Sequence, residues 1–316
     1  MNTRDLILRP LAGPDELGLF RRLPYVLDEE LADDLAEGRR QAERMWVALR
    51  GDRLLARAAW WGPASLLDVL DVDDALPAAD RVGVGVRLLR TAMKSVPGTG
   101  EYSRFVPPGW RDDAATRQAV QDRMTIAERA GARPFVEHLR LEWHPGTPVP
   151  EPAGRLAFRP VRDTEELLAL MTSALDGTLD AYSRADLARM SPREAAVAHY
   201  EDDLARFTGQ RDWWRVATLP DGEAVGFVVP ARNDYHAIIA CLAVLPAHRG
   251  NRYADDLLAE GTRVLARRGV PRVRAATDLG NSPMANAFRR AGYVGFEREI
   301  VLTWRHDGLA QGAQLP

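Results

Sequence analysis

The amino-acid sequence repeats itself along its 316 residues, and this repeat restricts the folds that the chain can adopt. Leu8-Arg9-Pro10-Leu11 corresponds to Phe158-Arg159-Pro160-Val161, and each is followed by acidic residues typical of a helix start. Further segments correspond at a similar offset, roughly 150 to 170 residues: Trp46 to Trp60 with Trp214 to Val228, Leu76-Pro77-Ala78 with Leu245-Pro246-Ala247, and Arg129-Ala130-Gly131 with Arg290-Ala291-Gly292. The sequence therefore predicts two copies of one domain, residues 1–143 and 155–304.

A proline-rich stretch separates the two copies. Residues 144–154 contain four prolines and little apolar content, so they are expected to form a stiff linker rather than join a helix or sheet. Residues 305–316 are polar and are expected to form a loose tail.

The second copy contains a strand, a loop and a long helix within residues 236–269. The strand is predicted to end at Val244, the loop carries Arg249 and Gly250, and the helix has a continuous apolar stripe before Gly269. The first N–H groups of such a helix lack intrahelical partners, and the helix dipole adds positive charge there. This arrangement predicts a binding site for a phosphate-bearing ligand.

The loop resembles motif A of the GNAT superfamily of N-acetyltransferases, [QR]-x-x-G-x-[GA], whose backbone binds the pyrophosphate of acetyl-CoA. Arg249 matches the first position and Ala254 the sixth, but Arg252 occupies the position where the family usually has glycine. The following strand, the helix that begins near Asn281, and the final strand occur in the GNAT order. The resemblance implies an α/β (α+β) fold of two tandem GNAT-like domains, each with a mixed, mainly antiparallel central sheet flanked by helices.

This resemblance also implies an activity. Acetyl-CoA is the expected co-substrate, and the expected reaction is direct transfer of the acetyl group to the amine of a small molecule. Two other functions remain open: a non-catalytic acyl-CoA-binding or regulatory protein, and a protein lysine or N-terminal acetyltransferase.

We expect the coenzyme to bind the second copy rather than the first. In the first copy, Gly83 and Gly85 correspond to Arg252 and Ala254, the fourth and sixth positions of the motif. However, Asp80 takes the first position of the motif and further aspartates precede it, which disfavours a phosphate ligand. The first copy is therefore expected to be a degenerate scaffold. The predicted coenzyme-binding residues are Leu242, Val244, Arg249, Gly250, Asn251, Arg252, Tyr253, Ala254, Asn281 and Phe288.

The usual acid and base of the family are not at their expected positions. The residue that matches the general-acid tyrosine is Phe288, and the residue that matches a common acidic position on the central strand is Cys241. Asp176, Asp180 and His236 are the candidate catalytic substitutes, since carboxylates bind an ammonium group and histidine has a suitable pKa for a base. Helix capping and an ordinary polar loop remain alternative explanations of these residues.

Composition and net charge restrict the partners, metal sites and cellular location that we expect for the protein. A net charge of −3 and a pI of about 6.1 do not favour nucleic acid or a membrane as a partner. Cys241 is the single cysteine, so internal disulfides and cysteine metal clusters are excluded. With no metal-ligand spacing and no signal peptide, we expect a cytoplasmic protein without a metal, as a monomer or a homodimer.

Overall fold

The computed structural model describes residues 5–62, 66–151 and 154–304, and these residues form two compact units. Unit 1 contains the described residues of 1–136 together with 299–304, and unit 2 contains the described residues of 137–298. The predicted tail, 305–316, and residues 152–153 of the predicted linker lie outside the described residues.

Unit 1 is a sheet with helices, in the strand order β1-β2-β3-β4-β5-β12. Its parallel pair is β4 and β5, and the pairs from β1 to β4 are antiparallel. Its core includes Ile300 and Leu302 from the last strand. The elements are β1 (Ile7–Pro10), α1 (Leu17–Phe20), α2 (Leu31–Ala36), β2 (Met45–Arg50), β3 (Arg53–Trp61), β4 (Leu66–Val72), α3 (Ala78–Ala92), β5 (Glu101–Val106), α4 (Ala114–Arg129), and the end of β12 (Val294–Thr303).

Unit 2 repeats this design, with the strand order β6-β11-β10-β9-β8-β7. The strands β10 and β11 are parallel, and the other pairs are antiparallel. The elements are β6 (Arg133–Trp143), β7 (Ala157–Pro160), α5 (Thr164–Ala174), α6 (Ala181–Leu187), α7 (Pro192–His199), β8 (Arg215–Thr218), β9 (Ala224–Arg232), β10 (Ala237–Val244), α8 (Tyr253–Ala266), β11 (Val273–Asp278) and α9 (Ser282–Arg290).

The boundaries of the two compact units differ from the boundaries of the two sequence copies. The last strand of the first half, β6, pairs with β11 in unit 2, and the end of β12 lies beside β5 in unit 1. The backbone N–H of Trp304 donates to the carbonyl of Gly100 at 2.9 Å. Each sheet is thus completed by a strand from the other half of the chain. The division into copies 1–143 and 155–304 stays a prediction about sequence repeats.

Helices cover both faces of the unit 2 sheet. The buried stripe of α8 packs with Phe288 of α9 on one face, and α5 and α7 pack on the other. Gly261 allows α8 to approach the sheet closely, because a Cβ atom there would lie 2.8 Å from Val228 Cγ2 and 3.0 Å from Ile239 Cδ1. The predicted fold class, tandem mixed sheets flanked by helices, is confirmed. No helix among the described residues is long and apolar enough to cross a membrane.

Candidate active site

A V-shaped gap opens between the two parallel strands of unit 2. The register pairs described between β10 and β11 are Ala237 with Val273 and Ile238 with Arg274, at the beginning of both strands. Beyond them, β10 stays paired with β9 up to Val244, and β11 stays paired with β6 up to Asp278. The facing edges therefore separate toward their carboxyl ends, where α/β folds place their ligands.

The loop between β10 and α8 has backbone geometry suited to an anion. Gly250 has φ of 86°, and Arg252 has φ of 59° and ψ of 21° immediately before α8 begins at Tyr253. A left-handed residue directly before a right-handed helix, as Arg252 is before Tyr253, directs successive N–H groups into one concavity. No described side chain caps this end of α8, so its first N–H groups are available to a phosphate. Arg252 thus adopts the conformation that glycine supplies in motif A.

Arg155 and Arg249 hold this loop in place. Arg155 donates to the carbonyl oxygens of Asn251 at 2.8 Å and Arg252 at 3.2 Å. Arg249 donates to the carbonyl of Val244 and, at the end of α5, to the carbonyls of Ala174 at 2.7 Å and Asp176 at 2.6 Å. The guanidinium of Arg249 is therefore engaged with protein carbonyls, and its predicted contact with the coenzyme stays a prediction.

Two aspartates in the first turn of α8 are neutralised by arginines. Asp255 forms a bidentate pair with Arg290 at 2.7 and 2.8 Å, and Asp256 pairs with Arg155 at 2.5 Å. Their charges are therefore balanced on the protein side of the loop. Tyr253 lies under Arg155, whose guanidinium carbon is 4.8 Å from the ring centroid, and Ala254 follows it in the first turn of the helix.

The end of β10 presents backbone N–H groups to the gap. The N–H of Leu245 donates to Val225 of β9 at 2.8 Å, so it is not free to stabilise an oxyanion. Because hydrogen-bonding directions alternate along a strand, the N–H groups of Leu242 and Val244 point the other way, toward the gap. Of the two donors that the sequence suggested, Val244 is the one with suitable geometry.

The residues predicted at α9 take mainly structural positions. Asn281 is the N-cap of α9, accepting from the N–H of Met284 at 3.3 Å. Phe288 is buried and packs edge-to-face on Tyr293, with ring centroids 5.1 Å apart. The hydroxyl of Tyr293 is 2.7 Å from Thr262 Oγ1, and burial raises the pKa of Tyr293 well above its usual range. Neither ring supplies an acid to the gap.

Asp176 and Asp180 lie at the end of α5 and the beginning of α6. The backbone of Asp176 accepts from Arg249, while its side chain is exposed. Asp180 caps α6, accepting from the N–H of Ser183 at 2.6 Å. The carboxylate of Asp278, at the carboxyl end of β11, accepts from the N–H of Ala181 at 2.7 Å and lies 3.2 Å from His138 Nε2. The beginning of α6 is therefore held at the carboxyl end of β11, and the backbone of Asp176 is held by the loop after β10.

His236 is not brought together with the two aspartates. It precedes β10, about 26 Å along the strand from Val244 at 3.3 Å per residue. Its Nε2 lies 2.6 Å from Nη1 of Arg274 and accepts a hydrogen bond from the guanidinium. Burial, together with the charges of Arg274, Arg272 and Arg140, lowers the pKa of His236 to about 4. The imidazole is therefore neutral and already occupied as an acceptor.

A carboxylate that sequence reasoning missed lies near the middle of β10. Asp203 sits in a π-helical turn, Tyr200–Leu204, which follows α7, and such turns are frequent at functional sites. Burial raises the pKa of Asp203, and His199, 3.9 Å away, partly offsets this effect. Burial and then the charges of Asp180 and Asp203 raise the pKa of the Cys241 thiol to about 12. The charges of the two aspartates therefore act on Cys241, the position where the resemblance places an acid.

The described residues of unit 1 form neither the loop nor the open gap of this site. Only residues 73–77 separate β4 from α3, against residues 245–252 between β10 and α8. The alignment of Gly83 and Gly85 with the loop is wrong, because both lie inside α3; a Cβ atom on Gly85 would lie 2.3 Å from Ile126 Cδ1.

The edge between β4 and β5 in unit 1 is filled by side chains. Arg104 of β5 pairs with Asp71 at 2.8 Å and stacks on the ring of Tyr25, 3.8 Å from its centroid. The hydroxyl of Tyr25 accepts from the N–H of Phe105 at 2.7 Å. Burial raises the pKa of Asp71, but the guanidinium groups of Arg104, Arg57 and Arg123 outweigh it and lower the pKa. A buried ionic network thus occupies the place of the gap.

Comparison with known proteins gives a consistent family match. Residues 179–293 match the model of the acetyltransferase (GNAT) family. A mycothiol acetyltransferase of Arthrobacter sp. (strain FB24) is 24% identical over 84% of this chain and 87% of its own length.

Solved structures share the fold of the whole chain. A GCN5-related N-acetyltransferase from Sphaerobacter thermophilus has 18% identity and a TM-score of 0.61, covering 98% of this chain and 99% of that chain. A tandem GNAT protein from the clavulanic acid biosynthesis pathway has 17% identity and a TM-score of 0.51, covering 94% and 98%.

Proposed function

Since this chain belongs to the GNAT family of N-acetyltransferases and contains the GNAT fold in tandem, we propose that unit 2 transfers the acetyl group of acetyl-CoA to the amine of a small molecule. The observation that carries this proposal is the V-shaped gap beside an uncapped helix with the anion-binding loop of residues 249–254. The gap accepts the pantetheine arm and the loop accepts the pyrophosphate.

The Arthrobacter relative supports a small acceptor. That protein is named for mycothiol, a small molecule, and the match extends over most of both chains. For this chain we propose the same class of acceptor, a small molecule, and not mycothiol itself.

Direct transfer fits the residues that surround the gap. The N–H of Val244 stabilises the oxyanion of the tetrahedral intermediate. Asp203 and Asp180 bind the acceptor as an ammonium group, and Asp203, whose pKa is raised by burial, accepts its proton. The free amine then attacks the thioester carbonyl, the C–S bond breaks as the tetrahedral intermediate collapses, and CoA leaves as a thiolate that takes up a proton. The thiol of Cys241, with a pKa of about 12, stays protonated at neutral pH and does not form an acetyl-enzyme.

The proposal is tested by calorimetric titration with acetyl-CoA and by thiol release from acetyl-CoA with a panel of small amines. Asp203→Asn should lower kcat/KM for the amine by about 100-fold, as expected for loss of a general base, and leave the acetyl-CoA affinity unchanged. Asp202→Asn, at the exposed neighbouring position, is the matched control. Tight binding of acetyl-CoA without thiol release from any amine would contradict a small-amine acceptor and favour an acyl-CoA-binding role.

A further inference from the structure

Residues 175–180, the bridging segment between α5 and α6, connect the two edges of the gap. At the start of this segment, the carbonyl of Asp176 accepts from Arg249, which belongs to the loop after β10. At its end, the N–H of Ala181 donates to the carboxylate of Asp278, the last residue of β11. Because β10 and β11 border the gap, the segment runs from one edge to the other at their carboxyl ends.

Packing contributes little to the conformation of the bridging segment. Every residue from 175 to 180 is half-buried or exposed, and Asp176, Gly177 and Leu179 are exposed. A segment with few buried apolar contacts opens locally at a small cost in free energy. The conformation of this segment therefore depends on the polar contacts at its two ends.

Arg249 makes the contact at the start of the segment with both of its Nη atoms. They donate to the carbonyls of Asp176 and Ala174 at 2.6 and 2.7 Å, and Nε donates to the carbonyl of Val244 at 3.2 Å. The donors of a guanidinium are held in one plane, so these bonds fix the segment relative to the end of β10. Arg249 thus joins its own loop, the strand end that presents the oxyanion donor, and the bridging segment.

Gly177 permits the close approach of the segment to Arg249. Its φ of 62° lies in the left-handed region, which favours glycine. A Cβ atom at this position would lie 3.1 Å from Nη1 of Arg249, closer than an ordinary van der Waals contact. An alanine at residue 177 would therefore strain the backbone and press on the guanidinium.

The far end of the segment carries Asp180. This aspartate caps α6 by accepting from the N–H of Ser183 at 2.6 Å, directly before the residue that Asp278 holds. Burial, and after it the charge of Asp180, raises the pKa of the Cys241 thiol to about 12, so this carboxylate lies near the middle of β10. The conformation of the bridging segment therefore decides where Asp180 lies relative to the gap.

From these contacts we propose that Arg249 is a positioning residue for the acceptor, because it holds the bridging segment so that Asp180 meets the ammonium group beside the coenzyme. This inference rests on the proposed function and names the residue that couples its two substrates. A pyrophosphate bound to the N–H groups of the loop fixes Arg249, and a fixed Arg249 orders the segment. Acetyl-CoA and the acceptor therefore strengthen each other's binding by the same factor.

Hydrogen exchange tests this coupling without a known acceptor. In the natural protein, saturating acetyl-CoA should slow the exchange of residues 249–254 and also of residues 175–180. In Arg249→Lys, which keeps the charge but cannot make the three carbonyl contacts, saturating acetyl-CoA should protect the loop and not the segment. Arg267→Lys, beyond the last turn of α8, is the matched control and should behave like the natural protein.

The outcomes of the exchange experiment separate this inference from the proposed function. Protection of the loop alone in the natural protein, or protection of both stretches in Arg249→Lys, would overturn the coupling and leave acetyl-CoA binding intact. Protection of neither stretch in the natural protein would contradict the proposed function, and this inference with it.

Gly177→Ala tests the positioning of the acceptor by kinetics, with any amine that the natural protein acetylates. At saturating acetyl-CoA, the variant should raise KM for the amine about tenfold and change kcat much less, because Asp203 and the N–H of Val244 are untouched. Gly222→Ala controls for backbone strain, since Gly222 has φ of 91° and a Cβ atom there would meet no described atom within 4 Å. An unchanged KM in Gly177→Ala, or an equal rise in Gly222→Ala, would overturn the positioning role.

Discussion

Arg252 is the only residue other than glycine with a positive φ among those that the structure describes. The left-handed conformation costs a residue with a Cβ atom about 1–2 kcal/mol. It is retained at the point where the loop turns its N–H groups toward the expected pyrophosphate. The exposed guanidinium adds a positive charge that glycine lacks, so the substitution keeps the backbone geometry of motif A and alters its electrostatics.

Two substitutions at this position separate backbone conformation from charge. Arg252→Gly and Arg252→Val both remove the guanidinium, but only glycine adopts φ of 59° without strain. Urea unfolding should give Arg252→Val a free energy of unfolding about 2 kcal/mol below that of Arg252→Gly. Calorimetry should show weaker acetyl-CoA binding in both variants, with much the larger loss of affinity in Arg252→Val. Identical affinities in the two variants would mean that the left-handed residue does not shape the coenzyme site.

His236 makes stability depend on pH. Its pKa is about 4 in the folded protein, against an ordinary value of 6.5, so the unfolded chain binds more protons between these values. The free energy of unfolding therefore falls as the pH decreases from 6.5 to 4. His236→Gln should lose less stability over this range than the natural protein, as measured by urea unfolding at pH 7 and pH 4.5. Parallel losses in the two proteins would show that His236 is not held neutral.

The loop between β10 and α8 is held in place by contacts of its own Arg249 with backbone outside the loop. Arg249 donates to the carbonyl oxygen of Val244 at the end of β10 and to two carbonyl oxygens at the end of α5, those of Ala174 and Asp176, a geometry that a lysine ammonium cannot reproduce. Arg249→Lys should therefore loosen the loop, raising the Kd for acetyl-CoA about tenfold while retaining the charge. A loss of affinity in Arg249→Ala but not in Arg249→Lys would instead indicate a direct charge contact with the coenzyme.

A control for this prediction lies at the other end of α8. Arg267→Lys changes an exposed arginine beyond the last turn and should leave both the Kd and the melting temperature unchanged. Hydrogen exchange of residues 249–254 should accelerate in Arg249→Lys only, since opening of this loop is local.

Local sequence rules were sufficient to predict the elements around the loop. The apolar spacing of α8 and the glycine after it predicted a helix up to Gly269, and the structure has Tyr253–Ala266. The direction in which a side chain points could be known only from the three-dimensional structure. Asp203 lies in a π-helical turn with no distinctive sequence pattern. The role that we propose for it could not be inferred from residue spacing alone.

The exchange of the last strands was not predictable, and the reason is the repeat itself. Leu139-Arg140-Leu141-Glu142-Trp143 and Ile300-Val301-Leu302-Thr303-Trp304 both have apolar residues at the first, third and fifth positions and end on a tryptophan. Either strand satisfies the open edge of either sheet, because an edge is recognised mainly by backbone hydrogen bonds and by the apolar alternation. The pairing therefore depends on the whole chain.

The same duplication raises the question of how many coenzymes one chain binds. Unit 1 has a loop of residues 73–77, shorter than that of unit 2, and the buried pair of Arg104 and Asp71 fills its strand edge. Opening this edge would leave charged groups without partners, which costs several kcal/mol. We therefore expect one acetyl-CoA per chain in a calorimetric titration, with an affinity strongly reduced by Arg252→Val and unaffected by Asp80→Asn. A stoichiometry of two, or an affinity that is unchanged in Arg252→Val and lost in an Arg104 variant that still folds, would place the coenzyme in unit 1.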